Sequence, residues 1–288
     1  MEAKITIAVA SGKGGTGKTT VSANLARAAA EAGYKATYLD CDVEEPNGHL
    51  FLKPHLERRY PVTIPVPLVD EQKCTGCGAC GEICQFSAIL CINKTVLTFE
   101  KMCHGCGGCK LVCPTGAITE QGREIGIIEE GQAGGLGFLH GRLNVGEAMS
   151  PPLIRAVRSA GQKSGGLVIV DVPPGTSCPV IAALRGANYV LLVTEPTPFG
   201  LNDLGLAIDV LKELGIPHGV VVNRSDPEFD HFARDFCREK GVRILVEIPD
   251  DRRVAEAYSR GELAYDALPE YRDSFRELLV SLEKEARK

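Results

Sequence analysis

Tryptophan is absent from the chain, and aromatics together make up only 6% of it. A platform on which the bases of a single strand could stack is therefore missing. Positive charge is not in excess either: 32 Lys and Arg stand against 37 Asp and Glu, a net charge of −5. Holding a nucleic acid through its phosphates needs a basic field, so no nucleic-acid partner is expected. No run reaches the roughly 18 apolar residues that span a bilayer. The opening MEAKITIAVASGKGG sets one lysine before a short apolar stretch. It lacks the longer apolar region and cleavage site of a signal peptide. The expected location is the cytoplasm.

What remains is an ordinary globular composition. The chain has 288 residues, 44% hydrophobic and 24% charged, enough for one large domain or a core with a small insert. Twelve cysteines are many for a reducing compartment, and eight of them fall into two tight groups. In such a compartment that pattern means metal ligands more often than disulfides.

The first elements read strand, glycine-rich loop, helix, strand. ITIAVA (5–10) is a short apolar run of the kind buried in a parallel sheet. Residues 18–32 are Ala-rich with helical spacing, and Gly33 closes them. KATYLDCD then gives a strand ending in acids. The alternation resumes with strands at 165–175, 189–196, 218–225 and 242–251. Helices fall at 201–214, 227–240, 252–260 and 270–286. This predicts an α/β fold with a doubly wound, mostly parallel sheet. The last helix carries Phe275, Leu278, Leu279 and Leu282 on one face. With no cationic excess, that face is expected to pack on the core rather than on a membrane.

The middle of the chain differs. Pro54, Pro61, Pro65 and Pro67 suggest an exit from the core around 60–70. Two short alternating runs, REIGIIEEG and FLHGRLNVG, suggest a hairpin or edge strands leading back. Between them lies an internal repeat. Residues 69–89 match residues 98–118 at an offset of 29, with four cysteines, two glycines and a final Ala-Ile in common. A repeat of this kind implies a pseudo-two-fold module of about fifty residues. The expected division is a discontinuous core, 1–66 and 121–288, around an insert at 67–120.

Gly12-Lys13-Gly14-Gly15-Thr16-Gly17-Lys18-Thr19 fits GxxxxGK[ST]. It follows a strand and opens a helix, the context a phosphate-binding loop requires. Glycines let backbone N–H groups surround the phosphates, and the helix N-terminus adds its dipole. Lys18 is expected to reach the β/γ-phosphates and the Thr19 hydroxyl to hold Mg²⁺; Thr20 completes the helix start.

Each cysteine group has the spacing C-x2-C-x2-C-x3-C, the bacterial two-cluster ferredoxin pattern, in which the fourth cysteine serves the other cluster. Cys74, Cys77, Cys80 and Cys113 are thus expected to hold one [4Fe–4S] cluster. Cys103, Cys106, Cys109 and Cys84 are expected to hold the second. Structural zinc is the alternative, although zinc usually draws spaced pairs. Gln85 stands where the second group has Pro114, which removes no ligand. Cys91, in ILCINK, reads as a packed strand residue, and Cys41 and Cys237 as structural.

The second lysine of the loop, Lys13, makes the sequence resemble the deviant Walker A ATPases: the MinD, ParA and Mrp proteins and the nitrogenase iron protein. The resemblance implies ATP-dependent dimerisation, with itself or a similar paralogue, in which Lys13 reaches the partner's nucleotide. It also implies that Leu39-Asp40-Cys41-Asp42 is a first switch. Asp42 would position or activate the attacking water, and Asp40 would sit nearer the Mg²⁺ shell. Asp171, at the end of LVIVD, looks like the Walker B acid, with Pro173-Pro174-Gly175 as second switch. Asn223 looks like the adenine-reading residue, and Pro249-Asp250 would pass beside the base. Cys178 lies where the iron protein has a cluster ligand, but no cysteine falls between 114 and 177 to complete such a site. A transient site from two copies of Cys178 and simple packing both stay open. The named group most similar is the MinD superfamily ATPases with an inserted ferredoxin domain. Three functions follow: ATP-gated electron transfer to a redox partner, iron–sulfur delivery to a client protein, and a positioning ATPase that senses redox state.

Overall fold

The computed structural model describes residues 4–162 and 165–287. The first three residues of the opening stretch, considered above for targeting, lie outside this range. The strands, in chain order, are β1 (Ile5–Ala10), β2 (Ala36–Asp40), β3 (His55–Val69), β4 (Ile89–Ile92), β5 (Thr95–Thr98), β6 (Ile118–Ala133), β7 (Leu136–Leu143), β8 (Leu167–Asp171), β9 (Tyr189–Thr194), β10 (His218–Ser225) and β11 (Ile244–Pro249). The chain divides into two compact units. One comprises the residues up to Arg59, Ile128–Arg142 and everything from Ile154 on. The other comprises Tyr60–Ile127 and Leu143–Leu153.

In the first unit, β1 is buried over its whole length, as expected of a strand covered on both faces. It pairs in parallel with β8 on one side and β9 on the other. The series continues in parallel through β10 to β11, and through β2 to β7. β6 and β3 complete the order β11-β10-β9-β1-β8-β2-β7-β6-β3. The sheet grows outward in both directions from β1. Loops leaving the carboxyl ends of its neighbours therefore diverge and open a crevice there. The helices Lys18–Glu31 and Tyr271–Ala286 share one core with β1. Phe275, Leu278, Leu279 and Leu282 are at most 3% exposed. Burying each contributes about 1.5–3 kcal/mol. That face is thus taken up by packing. No helix among the described residues is long and apolar enough to cross a membrane.

The proline-rich stretch at 60–70, expected as an exit from the core, is part of β3, the edge strand of the sheet, and the second compact unit begins at Tyr60. Pro61, Pro65 and Pro67 share one parity along the strand. The N–H groups they lack would all project from the same side, and an edge strand has one side with no ladder to fill. β6 and β7 do form the expected hairpin, through Gly134 and Gly135, both at positive φ, the turn geometry that matches strand twist. Yet β7 is not at an edge, because it pairs in parallel with β2.

The second unit repeats itself in its backbone. Gly76 and Gly105 have φ of 66° and 67°, and Gly78 and Gly107 have 85° and 72°. Each pair ends in a short helix, Ala79–Ile83 and Gly108–Leu111. One buried cluster in it comprises Cys80, Ile89 and Ile118, with Cys84, Cys109 and Cys113 packed against it. β4 and β5 form an antiparallel hairpin beside it.

Candidate functional site

The loop between β1 and the helix Lys18–Glu31 lies at the carboxyl end of β1. Ser11 Oγ donates to the Lys13 carbonyl at 2.6 Å, which fixes the entry of the loop. Gly15 and Gly17 adopt φ of 80° and 92°, conformations that glycine reaches without strain. A side chain at Gly17 would also meet the Asn223 amide nitrogen at 2.3 Å. That space is needed because Asn223 Nδ2 donates to the Thr16 carbonyl at 2.8 Å, tying β10 to the loop. A carbonyl can only accept, so the bond also fixes the amide's orientation and leaves Oδ1 as an acceptor.

A cavity of about 430 Å³ opens above the loop. Gly14, Gly15, Gly17, Lys18, Thr19 and Thr20 form one wall, and Asp42 stands on the segment after β2. Asn223, Pro249 and Asp250 close the far side. Four predicted residues stand behind this wall rather than on it. Gly12 packs against the backbone of Asp203, where a Cβ would lie 2.2 Å from a carbonyl oxygen. Thr16, Asp40 and Asp171 are at most 2% exposed. Lys13 turns away as well: its ammonium lies 3.5 Å from Glu195, which also binds Arg224 at 2.6 Å. The sequence reading missed several lining residues, among them Glu45, Asn47, Arg224, Asp251 and Tyr258. Glu45 and Asn47 are near enough to Asp42 to have been suspected. Tyr258 carries no local signal, because only packing of the helix Arg252–Ser259 brings it to the cavity.

The acids behind the wall divide their work. Asp40 and Asp171 are register partners on β2 and β8 and fully buried. Burial, and then the neighbouring carboxylate, pushes Asp40 well above the usual carboxylate range. Asp171 is also raised by burial, against the pull of Lys18 and the hydroxyls of Thr19, Tyr38 and Ser22. Asp40 accepts N–H bonds from Asp42, Asn47 and Gly48 at 3.1, 3.1 and 2.9 Å. Both its oxygens thus brace the loop after β2. Asp171 is different: Oδ2 accepts from Tyr38, while Oδ1 is buried with no hydrogen-bond partner among the described residues. Two buried carboxylates and an orphan oxygen beside Thr19 fit a hydrated divalent cation. Asp42 is pushed up to about 6 by burial, with Lys18 pulling it down and Asp171, Glu44 and Glu45 raising it further.

In the second unit the eight repeat cysteines line two cavities. Cys74, Cys77, Cys80 and Cys113 line one, beside Val96 and Ile118. Cys84, Cys103, Cys106 and Cys109 line the other, where Phe86 and His104 stack at 3.5 Å. Backbone N–H groups of Ala88 and Gly105 approach the sulfurs of Cys84 and Cys103 at 3.3 and 3.4 Å. Among the described residues no three His, Cys, Asp or Glu side chains converge as a single metal ion would require. Cys91 belongs to neither set and donates its thiol to the Gly76 carbonyl at 3.6 Å. Cys41 and Cys237 are buried, whereas Cys178 is exposed at the start of the helix Cys178–Leu184.

The family profile of the CobQ/CobB/MinD/ParA nucleotide-binding domain matches residues 7–264. The chain belongs to this family. It is a P-loop ATPase of the MinD/ParA kind, with a MinD-like, mostly parallel α/β sheet. An uncharacterized protein of Methanocaldococcus jannaschii is 34% identical over 275 residues, covering 94% of this chain and 96% of its own length. The iron-sulfur cluster carrier protein of Aquifex aeolicus is 28% identical over 274 residues, covering 89% of this chain and 60% of its own length. Among solved structures, MinD of Pyrococcus horikoshii complexed with Mg-ADP superposes with a TM-score of 0.62 at 22% identity. That match covers 98% of this chain and 97% of the MinD chain and speaks for the fold.

Proposed function

We propose that this ATPase couples nucleotide-driven dimerisation to electron transfer through two [4Fe–4S] clusters. The observation that carries the reading is the sorting of eight cysteines into two cavities, each taking three from one repeat and the fourth from the other. Four cysteine sulfurs around a cavity are the donor set of a cubane, and in one of the two cavities Cys84 and Cys103 also accept backbone N–H bonds. A cubane spreads its ligands over four irons, so its donors enclose a volume instead of meeting at one point. The clusters would supply one-electron transfer.

At the nucleotide, backbone N–H groups of the loop and Lys18 balance the charge of the phosphates. Thr19 and Asp171 are the residues placed to hold Mg²⁺, which neutralises charge on the phosphate oxygens. The superposed MinD was solved with Mg-ADP, which supports this assignment. Asp42 is raised toward neutrality, which suits a group that orients water and takes its proton. Asn223 Oδ1 can accept from the adenine amino group, and the keto oxygen of guanine offers no such donor. Lys13 would leave Glu195 to serve the nucleotide of a second copy or a similar paralogue.

A second reading has its own support. Relatives from Aquifex aeolicus and Pyrococcus abyssi carry the name iron-sulfur cluster carrier protein. In that case the chain would hand a cluster to a client rather than keep it.

The test is an iron and sulfide count on anaerobically reconstituted protein, followed by EPR of the dithionite-reduced sample with and without MgATP. About eight irons and a spectrum that responds to MgATP support coupled electron transfer. Movement of iron and sulfide into an apo-acceptor supports the carrier. Zinc in place of iron overturns both.

A further inference from the structure

Tyr38 sits on β2 two residues before Asp40, and neither a motif nor periodicity marks it as functional. It is completely buried. Its hydroxyl lies 2.8 Å from Asp171 Oδ2 and 3.2 Å from Ser22 Oγ. Ser22 is on the helix that opens with Lys18. The ring is held from two further sides. Phe138 stacks on it at 5.8 Å with planes 15° apart. Gly48 lies so close that a Cβ there would meet the ring edge at 2.5 Å and the hydroxyl at 2.7 Å. Gly48 is the same residue whose N–H binds Asp40.

A buried tyrosine hydroxyl needs a partner. Here it serves a buried acid whose other oxygen has no hydrogen-bond partner among the described residues. A carboxylate can turn about its last torsion, and its two oxygens are chemically alike. A fixed donor on Oδ2 removes that freedom. It leaves Oδ1, the orphan atom, as the oxygen open to a further ligand, on a carboxyl that Lys18 and Thr19 also act upon.

We infer that Tyr38 is a positioning residue for the divalent cation, orienting Asp171 by its hydroxyl while Gly48, at the end of the loop after β2, seats its ring. The inference rests on Asp171 being the acid of the cation site. It goes beyond that reading by making cation affinity depend on the loop that carries Asp42. Movement of that loop would shift Gly48, release the ring and loosen the carboxylate.

The test uses the full chain with Mn²⁺ and ADP, reading free Mn²⁺ by its EPR signal. Tyr38→Phe keeps the ring and removes the donor. It should weaken Mn²⁺ binding roughly tenfold to a hundredfold, the range that a hydrogen bond to a charged group provides. ADP affinity measured in EDTA should stay as in the wild type, and the melting temperature should fall only by the several degrees that one lost buried hydrogen bond costs. Gly48→Ala should reproduce the loss from the loop side. Asp171→Asn provides the reference. In the double variant Tyr38→Phe/Asp171→Asn, the loss should not exceed that of Asp171→Asn alone, because the hydroxyl then has no carboxylate to orient. Wild-type Mn²⁺ affinity in Tyr38→Phe, or additive losses in the double variant, overturn the inference. Wild-type affinity in Asp171→Asn instead overturns the assignment of Asp171 on which it rests.

Discussion

In the nucleotide-binding unit, Lys18, Thr19 and Asp171 are held by a core that takes in β1, two long helices and most of the parallel sheet. In the cysteine-bearing unit, one buried cluster is Cys80, Ile89 and Ile118. Leu111 is 85% exposed there, and Ile92 and Met102 about half. The first unit builds its site from secondary structure. The second packs four candidate ligands, Cys80, Cys84, Cys109 and Cys113, into the cluster around Ile89 and Ile118. Where ligands are part of the core, metal binding is coupled to folding. A site can thus be a product of the fold, or a condition for it.

The most severe way to break this contrast is to strip the clusters proposed for the second unit. Anaerobic chelation should abolish amide protection in the cysteine-bearing unit while leaving ATP binding within about twofold, since binding free energy there is folding free energy. Hydrogen exchange read by mass spectrometry checks it, and retained protection would put the second unit on the same footing as the first.

Within the nucleotide unit, Asp42→Asn should lower kcat by roughly 10²–10⁴-fold, the usual worth of a general base, with little change in nucleotide affinity. The pH profile sharpens the point. The shift of Asp42 is upward, to about 6, so the acid form persists to that pH and the base form accumulates only above it. ATP hydrolysis should therefore fall as pH drops through 6, and the asparagine variant should lose that limb of a steady-state profile.

Asn223→Ala removes the bond between β10 and the loop as well as the acceptor facing the base. A loss of about tenfold in preference for ATP over GTP is expected, in line with about 1.4 kcal/mol, near the upper end for a neutral hydrogen bond. Competition binding reads it. The smallest effect should come from Glu195→Gln, which frees Lys13. That lysine is 33% exposed, so its pair is worth about 0–1 kcal/mol. ATP-dependent dimerisation, followed by light scattering, should move to lower protein concentration by at most about fivefold.

Much of this was legible in the chain itself. GKGGTGKT after ITIAVA announces a phosphate loop because glycine, lysine and threonine each supply something only they can supply there. The cysteine spacing led in the same way to the expectation of a swapped fourth ligand, and the two cavities divide the cysteines along that line. Other features were hidden. Prolines in β3 read as a break because sequence alone does not say which strand is an edge. Asp40 and Asp171 look equivalent as strand-end acids. Only the three backbone donors folded onto Asp40 distinguish them.

The sequence by itself determined the loop, the strand–helix alternation and the two four-cysteine sets, because each depends on neighbours within a few residues. The tertiary structure decided what depends on groups far apart in the chain. Asn223 meets Thr16 across 207 residues, Tyr38 meets Asp171 across 133, and Lys13 finds Glu195. These contacts choose which acid keeps a free oxygen and where the second lysine rests. Their physical reason is the parallel sheet, which brings the carboxyl ends of distant strands to one edge.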